Sequence, residues 1–418
     1  MKVLFILALF PLGSHAADYN LEALYKHALD NHPQGKIYKS EFNELSHSLK
    51  KVKSTYYPEV SAVVGGEIRN GGSETEINDE RLIAEMRLKY NLFKFGKTKD
   101  QLDAMESLVN KKESDYNWWR FQLAALLKQR FYQAVATKKK IAIYKSELSE
   151  NLNLLKMTQK RHKSGLVGKS DVLEVQERQT LIQVQIIDQE EELDHLFDEI
   201  RKLSYIGHAD TINIDRPLPH FHVELKLESL ISKAESFNKE VRDSLLVESS
   251  YRHKLNQIEK NRMPEVNLMG RYGRMRIDEQ YTNDSTEGLL GVYVEMPLFD
   301  GGNRKSTQEI YIERLKQKVL KSKLVKNSTA VEVTHKFEIS YRTHRKVDLL
   351  EKAFRQSKRY FNNVVSEYRR GVKNSLDLVS AREHLISIKM DLVNTKESYI
   401  TNILEIEKLI GEKIQERL

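Results

Sequence analysis

The sequence predicts a mainly α-helical protein with a β portion, built as two tandem repeats of helix, two strands and a long helical hairpin. Three observations predict it. Apolar residues recur at alternating steps of three and four over stretches longer than an ordinary globular helix. Two pairs of segments alternate apolar and charged residues. Residue identities also recur at one fixed offset of 206 positions. Leu21-Glu22-Ala23-Leu24 returns as Leu227-Glu228-Ser229-Leu230, and Pro58-Glu59-Val60 as Pro264-Glu265-Val266. Leu92-Phe93 matches Leu298-Phe299, Gly96 matches Gly302, Gly165 matches Gly371 and Asp171 matches Asp377. A shared offset across helices, strands and turns points to duplication.

In chain order, residues 1–16 read as a secretory signal. Lys2 precedes an apolar run over residues 3–12, and Ser14-His15-Ala16 forms a small-x-small cleavage site. The run is too short to cross a bilayer, which takes about 20 residues. No later stretch reaches the roughly 18 consecutive apolar residues of a membrane helix. The 418 residues contain no cysteine, which excludes a cysteine-linked lipid anchor, disulfides and thiolate chemistry. The second helical seam runs nearly to Leu418, so no further C-terminal domain is expected.

Composition narrows the class. Seven prolines, 31% charged residues and a negative mean hydropathy favour long exposed helices over compact cores. The 68 basic residues are interleaved with 60 acidic ones, so the net charge of +8 reads as solvated helix faces and not as a nucleic-acid surface.

The first repeat covers 17–203. A helix from Leu21 to about Lys53 is ended by Pro58. Strands follow at 58–69 and 81–92, separated by the polar, glycine-rich loop 70–76. Val60, Ala62, Val64 and Ile68 share one face of the first. In the second, Leu82, Ala84, Met86, Leu88 and Tyr90 oppose Arg81, Glu85, Arg87 and Lys89. From Gly96 a helix runs from Lys97 to about His162, roughly 100 Å at 1.5 Å per residue. The tip at 163–171 is Lys163-Ser164-Gly165-Leu166-Val167-Gly168-Lys169-Ser170-Asp171. The returning helix carries a coiled-coil seam through Val172, Val175, Gln179, Ile182, Ile186, Gln189, Leu193, Leu196, Ile200 and Leu203.

A linker at 204–226 holds Pro217 and Pro219. The second repeat, 227–418, opens with a helix from Leu227 to about Asn261, then strands at 264–275 and 288–298 around the loop 281–285. Its tip is 369–377. The last helix has a seam through Leu378, Ala381, Leu385 and Ile388, and a second stripe, Val379, Ile386, Val393 and Ile400, at steps of seven. Two stripes imply two helical neighbours, as in a wall or barrel of helices.

The strands suit a transmembrane barrel wall, with a soluble sandwich as the alternative. Four strands do not close a barrel, and open edges are not tolerated in lipid. A membrane reading therefore requires two copies for eight strands or three for twelve, and the residues alone do not choose.

The strand ends Tyr90-Asn91-Leu92-Phe93-Lys94-Phe95-Gly96 and Met296-Pro297-Leu298-Phe299-Asp300-Gly301-Gly302, with the duplicated glycine tips, resemble the TolC family of outer-membrane efflux and secretion channels. The resemblance covers nearly the whole mature chain. It implies a homotrimer whose twelve-stranded barrel in outer-membrane lipid continues as a helical tunnel through the periplasm of a Gram-negative bacterium. It also implies a passive duct, gated at the tips, that docks on a periplasmic adaptor and an inner-membrane transporter of the RND, ABC or MFS type.

Position by position, the resemblance places adaptor docking at Gly165, Leu166 and Val167, with Gly371 and Val372 on the second tip. It places a gate lock at Ser170 and Asp171 against Tyr368 and Lys373. Lysine stands where the family more often has arginine, so a bidentate link is lost. Asp377 falls where the family has an inward acidic ring, and Ser380 replaces a second acidic position, which weakens cation binding there. Two readings of Asp171 and Asp377 stand side by side: caps of the returning helices, or a gate and ring. Likewise, Gly165 and Gly371 serve as turn glycines with or without adaptor contact.

Trp118 and Trp119 lie too far into their helix for a membrane-interface belt and read as coil packing. His220 and His222 lack carboxylate or thiolate companions for a metal site. No phosphate loop, zinc-ligand pair, nucleophile elbow or dinucleotide turn is present. No enzyme activity, cofactor or metal is expected. The competing readings are a periplasmic adaptor and a structural trimeric coiled coil.

Overall fold

The computed structural model describes residues 18–69, 79–219, 226–274 and 286–414. The signal segment, the two strand loops, His220 and His222 lie outside the described residues. No helix is long and apolar enough to cross a membrane among the described residues.

The element order is β1 (Asp18–Tyr19), α1 (Leu21–Asn31), α2 (Pro33–Ser54), β2 (Glu59–Arg69), β3 (Asp79–Phe93), α3 (Lys97–Lys163) and α4 (Lys169–Ser204). Then come β4 (Thr211–Ile212), α5 (Leu227–Phe237), α6 (Lys239–Glu259), a 3-10 turn (Lys260–Arg262), β5 (Glu265–Arg274), β6 (Glu287–Glu295), α7 (Asn303–Arg369) and α8 (Ser375–Ile410). The chain divides into two compact units. One holds Met1–Lys36, Asn117–Asn238 and Thr329–Leu418; the other holds Ile37–Tyr116 and Lys239–Ser328.

Two expectations are corrected. The opening helix of each half is not continuous. In the first, Pro33 restricts His32 to an extended backbone and begins a new helix at its N1 position. In the second, Asn238 is extended and its Nδ2 donates to the Leu409 carbonyl at 2.8 Å, a bond that a straight helix forfeits. The segment after Ser204 is also not a bare linker. Its β4 pairs in parallel with β1, Asp18 against Thr211 and Tyr19 against Ile212.

In the second unit, all four long strands form one antiparallel sheet in the order β2-β3-β5-β6. The register puts Val60, Val64, Met86, Leu88, Leu268, Leu290, Val292 and Val294 on one face. That face is exposed: Val64 at 75% and Leu290 at 72%. A contiguous apolar surface of this kind marks a partner or a membrane. The other face carries Glu59, Ser61, Glu85, Arg87, Lys89, Asn267, Arg271 and Tyr293. There the buried Glu85 carboxylate accepts two bonds from Arg271, at 2.8 and 2.9 Å, and one from Arg87 Nε at 2.5 Å. β2 and β6 are the sheet's edges.

In the first unit, the α4 seam buries Val175, Ile182, Ile186, Leu196 and Ile200, as its three-four rhythm requires. α8 buries both of its stripes: Leu378, Ala381 and Leu385 on one, Val379, Ile386, Val393 and Ile400 on the other. Leu154 of α3, Val175 of α4, Val364 and Tyr368 of α7, and Leu378 and Val379 of α8 form one core cluster. The two hairpins therefore pack on each other. Trp119 turns inward, its ring covering Gly35.

Candidate functional site at the hairpin tips

Both tips are built by the same backbone device. At the first, Gly165 takes a φ of +70°, its N–H donates to the His162 carbonyl at 2.9 Å, and Leu166 N–H donates to Arg161 at 2.9 Å. At the second, Gly371 has φ +77°, with Gly371 N–H to Tyr368 at 3.1 Å and Val372 N–H to Glu367 at 3.0 Å. This paired closure is the Schellman motif, and its left-handed residue favours glycine. The apolar residue after the glycine ordinarily packs back on its helix. Here Leu166 and Val372 stand in solvent, at 68% and 70% exposure.

The returning helices begin differently. Asp377 and Asn374 form a complete capping box: Asn374 Oδ1 accepts from Asp377 N–H at 2.8 Å, and the Asp377 carboxylate accepts from Asn374 N–H at 3.2 Å. Asp171 accepts from Gly168 N–H at 2.9 Å, but Gly168 has no side chain to return the bond. Ser170 is exposed beside it, and Ser380 is exposed one turn beyond Asp377. Lys373 Nζ lies 3.5 Å from the Asp377 carboxylate. Tyr368 is buried in the hairpin core with the Arg161 guanidinium 4.8 Å from its ring centroid, and its hydroxyl has no hydrogen-bond partner among the described residues. Within one chain, then, Asp171 is engaged by its own helix start and Lys373 by Asp377.

Sequence reasoning missed a second charged group between the hairpins. Arg382 of α8 reaches Glu150 of α3 at 3.1 Å and lies 3.7 Å from the buried Glu147. Arg178 of α4 pairs with Glu383 of α8 at 3.1 Å. Burial pushes the Glu147 carboxyl above its ordinary value, against the pull of Arg382 and Arg178. The signal was present: Arg382 falls between the two apolar stripes of α8, inside the arc they define.

In the other unit, Asp100, Asp103 and His253 bring one ligand atom each within 4.8 Å of one another, but Asp100 already holds the Lys260 ammonium. With Lys260 on Asp100 and His253 beside Asp103, the group is a salt-bridge cluster.

A sheet with one apolar and one charged face, together with two long hairpins that end in matched glycine tips, defines the class: an export channel of mixed strand and helical-hairpin construction. The pattern of the outer membrane efflux protein family matches residues 24–204 and again 230–412, and the chain belongs to that family. The outer membrane protein TolC of Vibrio cholerae is 19% identical over 415 residues, 97% of this chain and 93% of that protein. TolC of Escherichia coli K12 is 18% identical over 435 residues, 98% of this chain and 86% of that protein. Among solved structures, the outer-membrane channel OprN superposes with a TM-score of 0.82 at 16% identity, covering 94% of this chain and 90% of that one. VceC from Vibrio cholerae gives 0.81 at 15% identity, covering 94% and 97%. The protein is an outer-membrane efflux duct with a periplasmic extension.

Proposed function

We propose that three copies of the chain form one passive duct: a twelve-stranded barrel in the outer membrane, continued by a helical tunnel. In this reading residues 1–16 are removed on export, and 17–203 and 227–418 are copies of one unit joined by 204–226. Lipid meets the face bearing Val64 and Leu290, and the face with Arg87 and Arg271 lines the pore.

One observation carries the assembly. Positions buried in one hairpin are bare at the corresponding positions of the other, 206 residues away. Val379 and Val393 of α8 are buried, while their counterparts on α4, Leu173 and Ile187, are 53% and 62% exposed. Ala125 and Leu154 of α3 are buried, while Val331 and Tyr360 of α7 are 70% and 53% exposed. The bare stripe of α4 in one copy fits the bare stripe of α7 in the next, repeating the contact that α8 makes with α3. Such a head-to-tail contact closes into a ring when its rotation divides a full turn, as three copies a third of a turn apart do.

The exposed Leu166 and Val372, with the half-buried Val167 between the first tip's two glycines, dock a periplasmic adaptor, which couples the duct to an inner-membrane transporter. Ser170 and Asp171 lock against Tyr368 and Lys373 in the closed state, and Asp377 supplies a single acidic ring with Ser380 behind it. Detergent-extracted protein tests this reading: it runs as a trimer and conducts in a planar bilayer. A water-soluble monomer that does not conduct overturns it.

A further inference from the structure

We infer that Arg382 is a second latch between the hairpins, set into the seam that joins them and distinct from the tip residues. The inference rests on the duct reading, because a latch has meaning only where separation of the hairpins opens a passage.

Arg382 leaves its own hairpin to reach the other. Its Nη2 donates to the Glu150 carboxylate at 3.1 Å, its Nε lies 3.7 Å from Glu147, and its guanidinium stands 5.6 Å from the Phe361 ring centroid. Arg178 makes the reverse crossing to Glu383 at 3.1 Å. Each hairpin thus gives one arginine to a carboxylate of the other.

The seam around these pairs differs in kind from the apolar seam inside each hairpin. On α3 the buried stripe toward the second hairpin is polar: Glu147, Asn151 and Thr158 alternate with Leu154. Glu147 Oε1, Asn151 Oδ1 and Thr158 Oγ1 are buried with no hydrogen-bond partner among the described residues, and so are Arg382 Nε and Nη1. A cavity of about 280 Å³ has Glu147, Glu150, Arg382 and Lys389 among its lining. Packing polar groups into a seam costs hydration, and opening that surface to water returns it. The packed seam is therefore poised to separate, and the crossing ion pairs hold it shut. Arginine suits that task because its planar guanidinium stays charged when desolvated.

The test uses mature full-length protein, purified in detergent and recorded as single channels in a planar bilayer. Wild-type trimers that give no conductance overturn the duct reading itself. With a conducting wild type, Arg382→Gln leaves Glu147 buried without its cation and raises the open-to-closed ratio by roughly tenfold. Arg382→Lys gives a smaller rise. A purely structural role instead lowers thermal stability without raising conductance. Arg382→Gln trimers that conduct as wild type overturn the latch. Should that variant fail to form trimers, the half-exposed pair decides: Arg178→Gln with Glu383→Gln raises conductance if the latch is real, and unchanged conductance overturns it.

Discussion

Asp171 and Asp377 occupy the same step of their hairpins, yet their surroundings differ. Asp377 is doubly tied, to Asn374 by backbone bonds and to Lys373 by charge. Asp171 has one backbone bond from Gly168 and no residue to answer it. The first tip is accordingly the freer partner for a lock between hairpins. Tyr368→Phe combined with Lys373→Ala is expected to raise single-channel conductance. Because the Tyr368 hydroxyl has no hydrogen-bond partner among the described residues, its loss costs little stability, so thermal melts stay near wild type while conductance rises. A second prediction concerns acidity. Glu147 is faced by Glu150 on its own helix, by Arg178 on α4, and by Arg382 and Lys389 on α8, and burial is the largest influence on it. Its carboxyl binds a proton more tightly when packed than when exposed, so falling pH favours the packed state. Conductance should therefore decline as pH drops from neutrality toward the ordinary carboxylate value of 4.5, and Glu147→Gln should flatten that response. An increase on acidification refutes the assignment. The tip glycines and both aspartates were legible in the sequence because a turn between two seams leaves few other places for them. Lys373 binding Asp377 was not, since a lysine four residues before an aspartate has more than one reachable acceptor. Arg382 was legible in principle: at about 100° per residue it falls between Val379 and Leu385 on the helical wheel, where an exposed charge does not belong.

At the scale of elements, periodicity fixed what it physically controls. Helices α3 and α7 begin at Lys97 and Asn303, and the seam of α4 buries the aliphatic positions read from it. The breaks at His32 and Asn238 were hidden for different reasons. The first lay in plain view as Pro33. The second depends on a side-chain bond to Leu409, some 170 residues later, which no local pattern contains. The first break brings Gly35 against Trp119, where an added Cβ would meet the indole ring at 2.6 Å. Gly35→Ala is therefore expected to cost about 1–3 kcal/mol of stability through overpacking, read as a lower melting temperature. Restoring space with Trp119→Leu should recover part of that loss, and a double-mutant cycle measures the coupling. Strictly additive effects would show that the ring is not the obstacle.

At the scale of the molecule, burial divides the helix surfaces in a way that the proposed ring of copies explains. Ile187 and Val331 are exposed in one chain and meet their counterparts only across copies in the proposed ring. Ile187→Glu is expected to reduce trimers in detergent by an order of magnitude or more, because it places an unpaired charge in an apolar contact. Size-exclusion chromatography with light scattering checks this, while circular dichroism should show the helices unchanged. Trimers that survive intact place α4 away from the subunit boundary. The sequence foretold a second neighbour for the last helix through its second stripe. It did not foretell which faces stay bare, because bareness is a property of the folded surface.

The sheet order leaves β2 and β6 as edges, each with a row of backbone donors and acceptors facing outward. Lipid offers those groups nothing, so a single chain has no stable resting place in the bilayer. In the proposed ring, insertion and assembly are therefore one collective event, whose rate is expected to climb steeply with the number of chains arriving together. A chain carrying a proline at a β2 position whose N–H faces away from β3, and so lacking one edge donor, would poison its companions. Expressed one to one with wild type, it should leave only about one ring in eight free of the defective edge. The loss of export should accordingly be far greater than half, a genetic dominance that follows from two unpaired strands.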